Sequence, residues 1–268
     1  MSTLLATSYS ICVATIDLIG LFGNVSLLLI ILLNKAFRQN KCSIIIGFIA
    51  FCDGSIEFLT IILQIFHLSG HQFYQHECFY TMIVIVFTNC CQTVIPIFRS
   101  AVGCGYSILV SKRYLFLEAD RPLIACNPPA SLNTIAHNIW NKTGICLNVI
   151  TVLVYGTAGV ILWLKARNQP SAHIRTEITV MKTIAFIVLF YICTWCLMNC
   201  LNFLKEVSLK YLTADEAMTF VLASGIPAHS CFAGNFYIYM WRNLSYREAF
   251  IRLWKRRSTH VVSTFYSN

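Results

Sequence analysis

Asp53 and Glu57 lie four residues apart in the run Cys42 to Leu68, whose other residues carry no acid and no lysine or arginine. A carboxyl group in such a setting must find polar partners, keep a proton or hold a cation. At the centre of a membrane-crossing helix an acid costs about 2.5 to 3.5 kcal/mol on insertion scales, so Asp53 is expected to face the interior of a helix bundle. Asn24 and Asn235, each mid-run or toward the inner end of its own apolar run, are the partners expected for it. Glu57 shares the helix face of Asp53, one turn on, and either joins that cluster or offers a second proton site. A polar knot that only holds the bundle together is the alternative to one that rearranges.

Cysteine and histidine chemistry is the other candidate. Most of the 13 cysteines stand inside apolar runs, for example Cys90, Cys91, Cys193, Cys196 and Cys200, where the thiol behaves as a small soft hydrophobe. Cys78, after SGHQFYQHE, and Cys126, within RPLIACNPPASLN, stand instead in polar stretches facing the oxidising side. A disulfide there would tie the second stretch to the start of the third span; two free thiols are the alternative. His71, His76, Glu77 and Cys78 could in principle ligate a metal, but two histidines in a short wet loop are ordinary loop residues, and no metal is expected. Asn141-Lys142-Thr143 is a glycosylation sequon on the outer side, while Asn243-Leu244-Ser245 falls on the inner side, where the signal is void. The chain has no metalloprotease, serine-hydrolase, phosphate-loop or dinucleotide motif, so an enzyme is not expected.

These residues are carried by apolar segments. The chain is 57% hydrophobic and only 12% charged, with a mean hydropathy of +0.67, the balance of a membrane protein. Runs long enough to cross a layer of about 30 Å occupy residues 11–33, 42–68, 79–102, 145–164, 183–204 and 217–241. Asp17 is the only charge in the first, and Arg99 interrupts the third near its end. The opening MSTLLATSYS has no basic leader, so the first run is expected to stay in the membrane as a signal anchor. Lys35, Arg38 and Lys41 follow the first run; Lys165, Arg167, Arg175 and Lys182 precede the run 183–204; Arg242, Arg247, Arg252, Lys255, Arg256 and Arg257 crowd the tail. This puts the N-terminus outside and the tail inside, and it accounts for most of the net charge of +9 as contact with the inner leaflet rather than with nucleic acid. Tyr246, Ala249, Phe250, Leu253 and Trp254 recur at helical spacing opposite Arg247, Arg252 and Lys255, which predicts an interfacial helix over 246–255 with Ser245 as its cap. The whole chain, 1–268, reads as one polytopic domain.

Gly23-Asn24, Asp53, Cys78, Cys126 and the closing Asn235-Phe236-Tyr237-Ile238-Tyr239 resemble the rhodopsin-like seven-helix receptors. Within them, "FRQNKCSIIIGFIAFCD", "FRSAVG", "RPLIACNPPASLN" and "GNFYIYMWRNLSYREAF" resemble the nematode serpentine chemoreceptors of class SX, Srsx. The resemblance covers nearly the whole chain. It implies a seven-helix bundle with a short eighth helix at the inner interface. It also implies a network of Asn24, Asp53, Asn235 and Tyr239 that can hold water and a sodium ion near Asp53. The partners it implies are an extracellular small molecule or peptide and a heterotrimeric G protein, at the plasma membrane. By depth, Asn89, Asn148, Trp195 and Asn199 are the polar candidates for the ligand cavity, with Trp195 equally at home as core packing. Two prolines of the wider family are replaced, by Leu197 in the sixth span and by Phe236 in the last, although Pro227 can still kink the last.

One segment does not fit a full set of crossings. Two spans and a loop need roughly 50 residues, and Phe79 to Ala119 supplies 41. The apolar stretch Tyr106 to Leu117 contains Lys112 and Arg113 and would give about 18 Å of helix against a layer of about 30 Å. In the resembled family "SAVG" leads into an acidic-arginine motif that meets the G protein; here Cys104-Gly105-Tyr106 stands in its place. The fourth span, over 104–119, is therefore expected to be degenerate, leaving six clear spans, and a truncated, non-signalling or internally retained receptor is the alternative to an active one. A transporter or channel would want repeats, broken helices or a charged pore, and none is evident.

Overall fold

The computed structural model describes residues 3–74, 77–78, 122–123, 126 and 142, parts of 145–164, and residues 172–208 and 213–265. Its elements are α1 (Thr3–Leu33), α2 (Lys35–Gln39), α3 (Lys41–Leu68), β1 (Phe73–Tyr74), β2 (Pro122–Leu123), α4 (Ala172–Ser208), α5 (Ala214–Arg242) and α6 (Leu244–Phe265). The described positions within 142–164 are helical as well. The expected spans over 79–102 and 104–119 lie outside the described residues. Among the described residues two helical stretches, Leu4–Leu33 and Ser43–Leu68, are long and apolar enough to cross a membrane, and Val188–Leu204 is a shorter apolar stretch.

The buried face of α1 follows a strict rhythm: Ala6, Ser10, Val13, Asp17, Gly20, Asn24, Leu27 and Ile31 alternate three and four residues apart. That 3.5-residue repeat keeps one stripe against neighbours that cross at a shallow angle. The stripe is also inverted relative to a water-soluble helix, because Ser10, Asp17 and Asn24 are inside while Leu18, Phe22 and Val25 are exposed. On α3 the same inversion holds, with Ser43, Asp53, Glu57, Thr60 and Gln64 inside and Ile44, Phe48, Phe51, Phe58 and Ile65 outside. An apolar rim around a polar interior is what a hydrocarbon surround selects. The described residues of 145–164 add exposed Ile145, Val149, Leu153, Val160 and Ile161.

Contacts fix the directions. Tyr9 meets Gly225 and Gly23 meets Phe236, so α1 and α5 run parallel. Asn24 meets Glu57 in α3, and Ile31 meets Gly47, so α3 returns antiparallel. On the other flank of α5, Ser224 meets Asn202 and Gly234 meets Phe190, so α4 is antiparallel to it. Helices α3 and α4 thus run against α1 and α5, and the end of the bundle that holds the α1 N-terminus is called outer, the opposite end inner.

Local chemistry sets the joints. The Asn34 side chain accepts from the Ala36 amide at 3.1 Å and starts α2, turning the chain at the inner end of α1. At the outer end of α3, the His71 amide donates to the Phe66 carbonyl and the Gly70 amide to that of His67. Gly70 takes φ of 87°, the left-handed position that this helix stop requires and that a side chain resists. Thr213 and Glu216 form a reciprocal capping box at the start of α5, and bonds from the Thr213 backbone and hydroxyl hold the exposed Glu216 carboxyl below its ordinary range. The helix α5 continues through Pro227, where the Ser224 and Ser230 hydroxyls donate to the Val221 and Ile226 carbonyls.

Boundaries differ from expectation in a few places. The first helix begins at Thr3, eight residues before the apolar run, because LLATSYS is itself helix-compatible. The last helix covers Leu244–Phe265 rather than 246–255, and its cap is Asn243, not Ser245. The Asn243 carbonyl oxygen Oδ1 accepts from the Ser245 and Tyr246 amides at 3.1 and 3.5 Å, so a single asparagine both ends α5 and opens α6 without room for a further residue.

Over the outer end, Phe73 pairs with Leu123 and Tyr74 with Pro122 in an antiparallel ribbon. A disulfide joins Cys78 to Cys126, 48 residues apart, with their Cα atoms 5.4 Å apart. Both sulfurs are buried with Phe73, Ile56, Leu63 and Phe232. Closing a loop of this length is worth about 2 to 5 kcal/mol. On intact cells an impermeant thiol reagent should leave Cys126 unlabelled in the unaltered protein and label it in Cys78→Ser; equal labelling of the two proteins would contradict the bond.

Candidate functional site

A seam of polar side chains runs down the junction of α1, α3 and α5. At its outer part Asp17 of α1, wholly buried, meets His229 of α5, Oδ1 to Nδ1, at 2.9 Å. Seven residues further along α1, Asn24 donates from Nδ2 to Glu57 Oε2 of α3 at 3.0 Å and to the Phe232 carbonyl of α5 at 3.3 Å. One turn inward on α3, Asp53 accepts from Asn235 Nδ2 of α5 at 2.8 Å. The three helices are thereby linked pairwise: α1 to α5, α1 to α3, and α3 to α5.

Small residues make this approach possible. A methyl group at Gly20 would collide with the Glu57 carboxyl and the Ala233 backbone, and one at Gly23 would collide with the Phe236 ring. Glycine on α1 therefore clears the space for the acid of α3 and for the phenylalanine that occupies the proline position of α5. Phe236 in turn packs edge-on to Phe22 and to Phe250 of α6.

The inner end continues through aromatic rings. Tyr239, the last of the four expected network residues, lies with its ring 5.6 Å from Tyr246 of α6. The Tyr246 hydroxyl donates to Ser43 Oγ of α3 at 3.0 Å and its ring stacks on Phe37 of α2 at 4.5 Å. Thus the structure brings Asn235 and Asp53 into direct contact, gives Asn24 to Glu57, and sets Tyr239 against the α6 junction, one turn and more inward.

Four buried atoms of the seam have no hydrogen-bond partner: Ser10 Oγ, Asp17 Oδ2, Asn24 Oδ1 and Glu57 Oε1. Unpaired polar atoms at this depth are where a helix bundle can accept a proton, a water or a small cation.

Of the cavity candidates, Trp195 is half-buried on α4, packed against the cluster of Ile56, Leu63 and Phe232, with its ring 5.6 Å from Tyr191. Asn199 is half-buried one turn further out on the same helix. Asn89, Asn148 and the sequon residue Asn141 lie outside the described residues. Asn202, buried on α4, accepts from the Ser224 hydroxyl at 3.3 Å, a contact the sequence reading did not anticipate. Nor did it pair Asp17 with His229. The signal was present in the spacing: Ser10, Asp17 and Asn24 fall seven apart on one helix, and Leu222, Gly225, His229, Phe232 and Phe236 alternate three and four apart on the helix that faces it. In the outer loop His71 Nε2 stands 3.7 Å from Glu77, and Cys78 is committed to its disulfide, so it offers no thiolate. Among the described residues no group of three metal-ligating side chains occurs.

The family model for the serpentine type 7TM GPCR chemoreceptor Srsx matches residues 17–99 and 97–254. No curated protein matches the chain.

Removing one partner of a buried hydrogen-bonded pair strands the polar atom of the other at about 1 to 3 kcal/mol, so losing both partners costs less than the sum of the two single losses. Asp17→Asn and His229→Ala should each lower the thermal unfolding temperature of the detergent-solubilised protein. The double variant should lose clearly less than the sum. Strict additivity would show that the two residues do not act as a pair.

Proposed function

We propose a signalling role from one premise: the chain belongs to the Srsx family of serpentine seven-transmembrane chemoreceptors of the G-protein-coupled class. It sits in the plasma membrane with its N-terminus outside, receives a small molecule or peptide from that side, and presents its inner face to a heterotrimeric G protein. The observation that carries this reading is the seam itself. It runs from Asp17–His229 near the outer side, through Asn24–Glu57 and Asp53–Asn235, to Tyr239 and Tyr246 at the inner end. A ligand can shift a bundle only by favouring one arrangement over another. Three helices joined by a few directional bonds, with glycine contacts that tolerate no extra atom, offer discrete arrangements rather than a continuum. Ligand-facing residues on this reading include Trp195 and Asn199, which lie outward on α4 with the Trp195 ring against the core beneath the disulfide.

A sodium ion near Asp53 is part of the proposal. The donors there suit a hard cation, since Asp53 and Asn235 supply oxygens and Asn24 Oδ1 has no hydrogen-bond partner. Such an ion would supply positive charge to balance the acids of the seam.

A second reading concerns residues 100–120. The disulfide and the two-stranded ribbon hold Cys78 and Cys126 on the same side. The chain between them must therefore cross the membrane an even number of times, and the 41 residues Phe79 to Ala119 are short for two crossings. The two stretches matched by the family overlap at 97–99, so no chain residue separates them. Two matches that abut in this way are what a chain lacking an internal stretch of the family would give. Both observations support a deletion that takes the inner end of the third span, the inner loop and part of the fourth, with weakened coupling or retention in the endoplasmic reticulum as its result.

Membranes containing the chain with a panel of G-protein α subunits should exchange nucleotide above the level of empty membranes, and Asp53→Asn should insert normally yet abolish the dependence of that exchange on sodium. A variant with the unaltered sodium response would reduce Asp53 to a structural role, and no exchange with any subunit would favour the non-signalling form. Sequencing the transcript across codons 100 to 120 should reveal a longer form encoding about 15 to 30 further residues, the amount by which two spans fall short. The short transcript alone, with a tagged N-terminus outside, a tagged C-terminus inside and normal coupling, would overturn the deletion.

A further inference from the structure

The inner ends of α4 and α5 meet through aromatic rings and one cation. Phe186 of α4 stands edge-on to Trp241 of α5, with ring centroids 5.4 Å apart. The guanidinium carbon of Arg242 lies 4.6 Å from the centre of the Phe186 ring and 5.3 Å from that of Trp241. One turn outward on α4, Phe190 fills the notch at Gly234, which keeps the two helices close where the cation sits. Attraction to a ring uses the positive charge and not the N–H donors, which still require acceptors. Arg242 Nε is shut off from water and has no hydrogen-bond partner. Among the described residues no carboxylate pairs with this guanidinium, and Glu248, the acid nearest to it in sequence, stands 3.9 Å from Arg252 instead.

A cation held in place, with donors unmet and no counter-charge, calls for an anion, and the surroundings select which kind. Leu189 on α4, Trp241 on α5 and Leu244 at the start of α6 are all exposed. A water-soluble anion would leave these apolar side chains bare, whereas one carried on acyl chains would cover them. A tryptophan beside a basic residue at the end of a span also suits the headgroup layer, where amphipathic rings and positive charge both gather.

We propose that Arg242, framed by Phe186 and Trp241, is a binding site for the phosphate-bearing headgroup of an acidic phospholipid at the inner end of the bundle. The planar edge of the guanidinium donates to phosphate oxygens, a pairing whose geometry a fork of N–H groups fits, and the acyl chains run along Trp241 and Leu189. Because the same side chain rests on a ring of α4 while belonging to α5, the lipid acts on both helices at once. The inference goes beyond the receptor reading and requires neither the external ligand nor the G protein.

The test is tryptophan quenching in nanodiscs by phospholipids brominated on their acyl chains, with the Trp241 share read as the difference between the unaltered full-length chain and Trp241→Phe. Brominated phosphatidylserine should reach half its effect at about one fifth of the mole fraction that brominated phosphatidylcholine needs, the factor given by about 1 kcal/mol for one basic residue near an anionic surface. Arg242→Gln should bring the two lipids level, while Arg247→Gln, which removes a charge outside the site, should keep the preference, as should added soluble glycerophosphoserine. Equal mole fractions for the two lipids on the unaltered chain would overturn the proposal, even where the variants fail to fold. So would a preference that survives Arg242→Gln, or one lost to the soluble headgroup, which would make a water-soluble anion the occupant.

Discussion

Apolar helices in lipid gain nothing by touching one another, because the hydrocarbon they leave is as apolar as the neighbour they meet. Association must come from close packing and from polar groups that lipid cannot satisfy, and the contacts among α1, α3 and α5 answer to that constraint. Asn24 bonds to α3 and to α5 at once, Asp17 reaches α5, and Asp53 receives Asn235. The glycines at 20, 23, 225 and 234 bring backbones near enough for those short side chains to meet. Remove the glycines and the polar atoms would be stranded; remove the polar atoms and the glycine contacts alone would hold three helices that lipid separates equally well.

The same constraint links the outer and inner ends. Polar partners occupy successive turns of α1, so a displacement at Asp17 and His229 bears on the Asn24 and Glu57 pair one heptad inward. Phe236 then couples that level to α6 through Phe250, and Tyr246 ties α6 back to Ser43 and Phe37. Where a proline would weaken the helix at the inner end of α5, Phe236 packs into the Gly23 gap and leaves it continuous to Arg242. The proline of α5 is instead Pro227, two residues before His229, where the helix lacks one backbone donor.

Sequence alone made much of this legible. The apolar runs announce helices, and the cost of burying Asp53 demands a polar interior with Asn24 and Asn235 in it. Finer assignments were harder for physical reasons. Whether Asn24 meets Asp53 or Glu57 depends on helix rotation and depth, which composition does not fix, and in the structure its amide donates to Glu57. Asp17 and His229 stand 212 residues apart, and each looks like a lone exception in its own run until the heptad rhythm of both helices is compared. The cap at Asn243 was misplaced by two residues because Ser245 has an equally suitable side chain, and only the turn between α5 and α6 decides which oxygen reaches the free amides.

The central claim is that a polar stripe on α1 faces the bundle while lipid covers the rest. Nitroxide scanning of residues 6–31 in bilayers, comparing collision with oxygen and with a water-soluble nickel chelate, reads this directly. Positions 18, 22 and 25 should collide with oxygen and not with the chelate, while 10, 17 and 24 should be shielded from both, giving a repeat of about 3.5 residues along the helix. Chelate access at 18, 22 and 25, or oxygen access at 10, 17 and 24 equal to that of their neighbours, would contradict it.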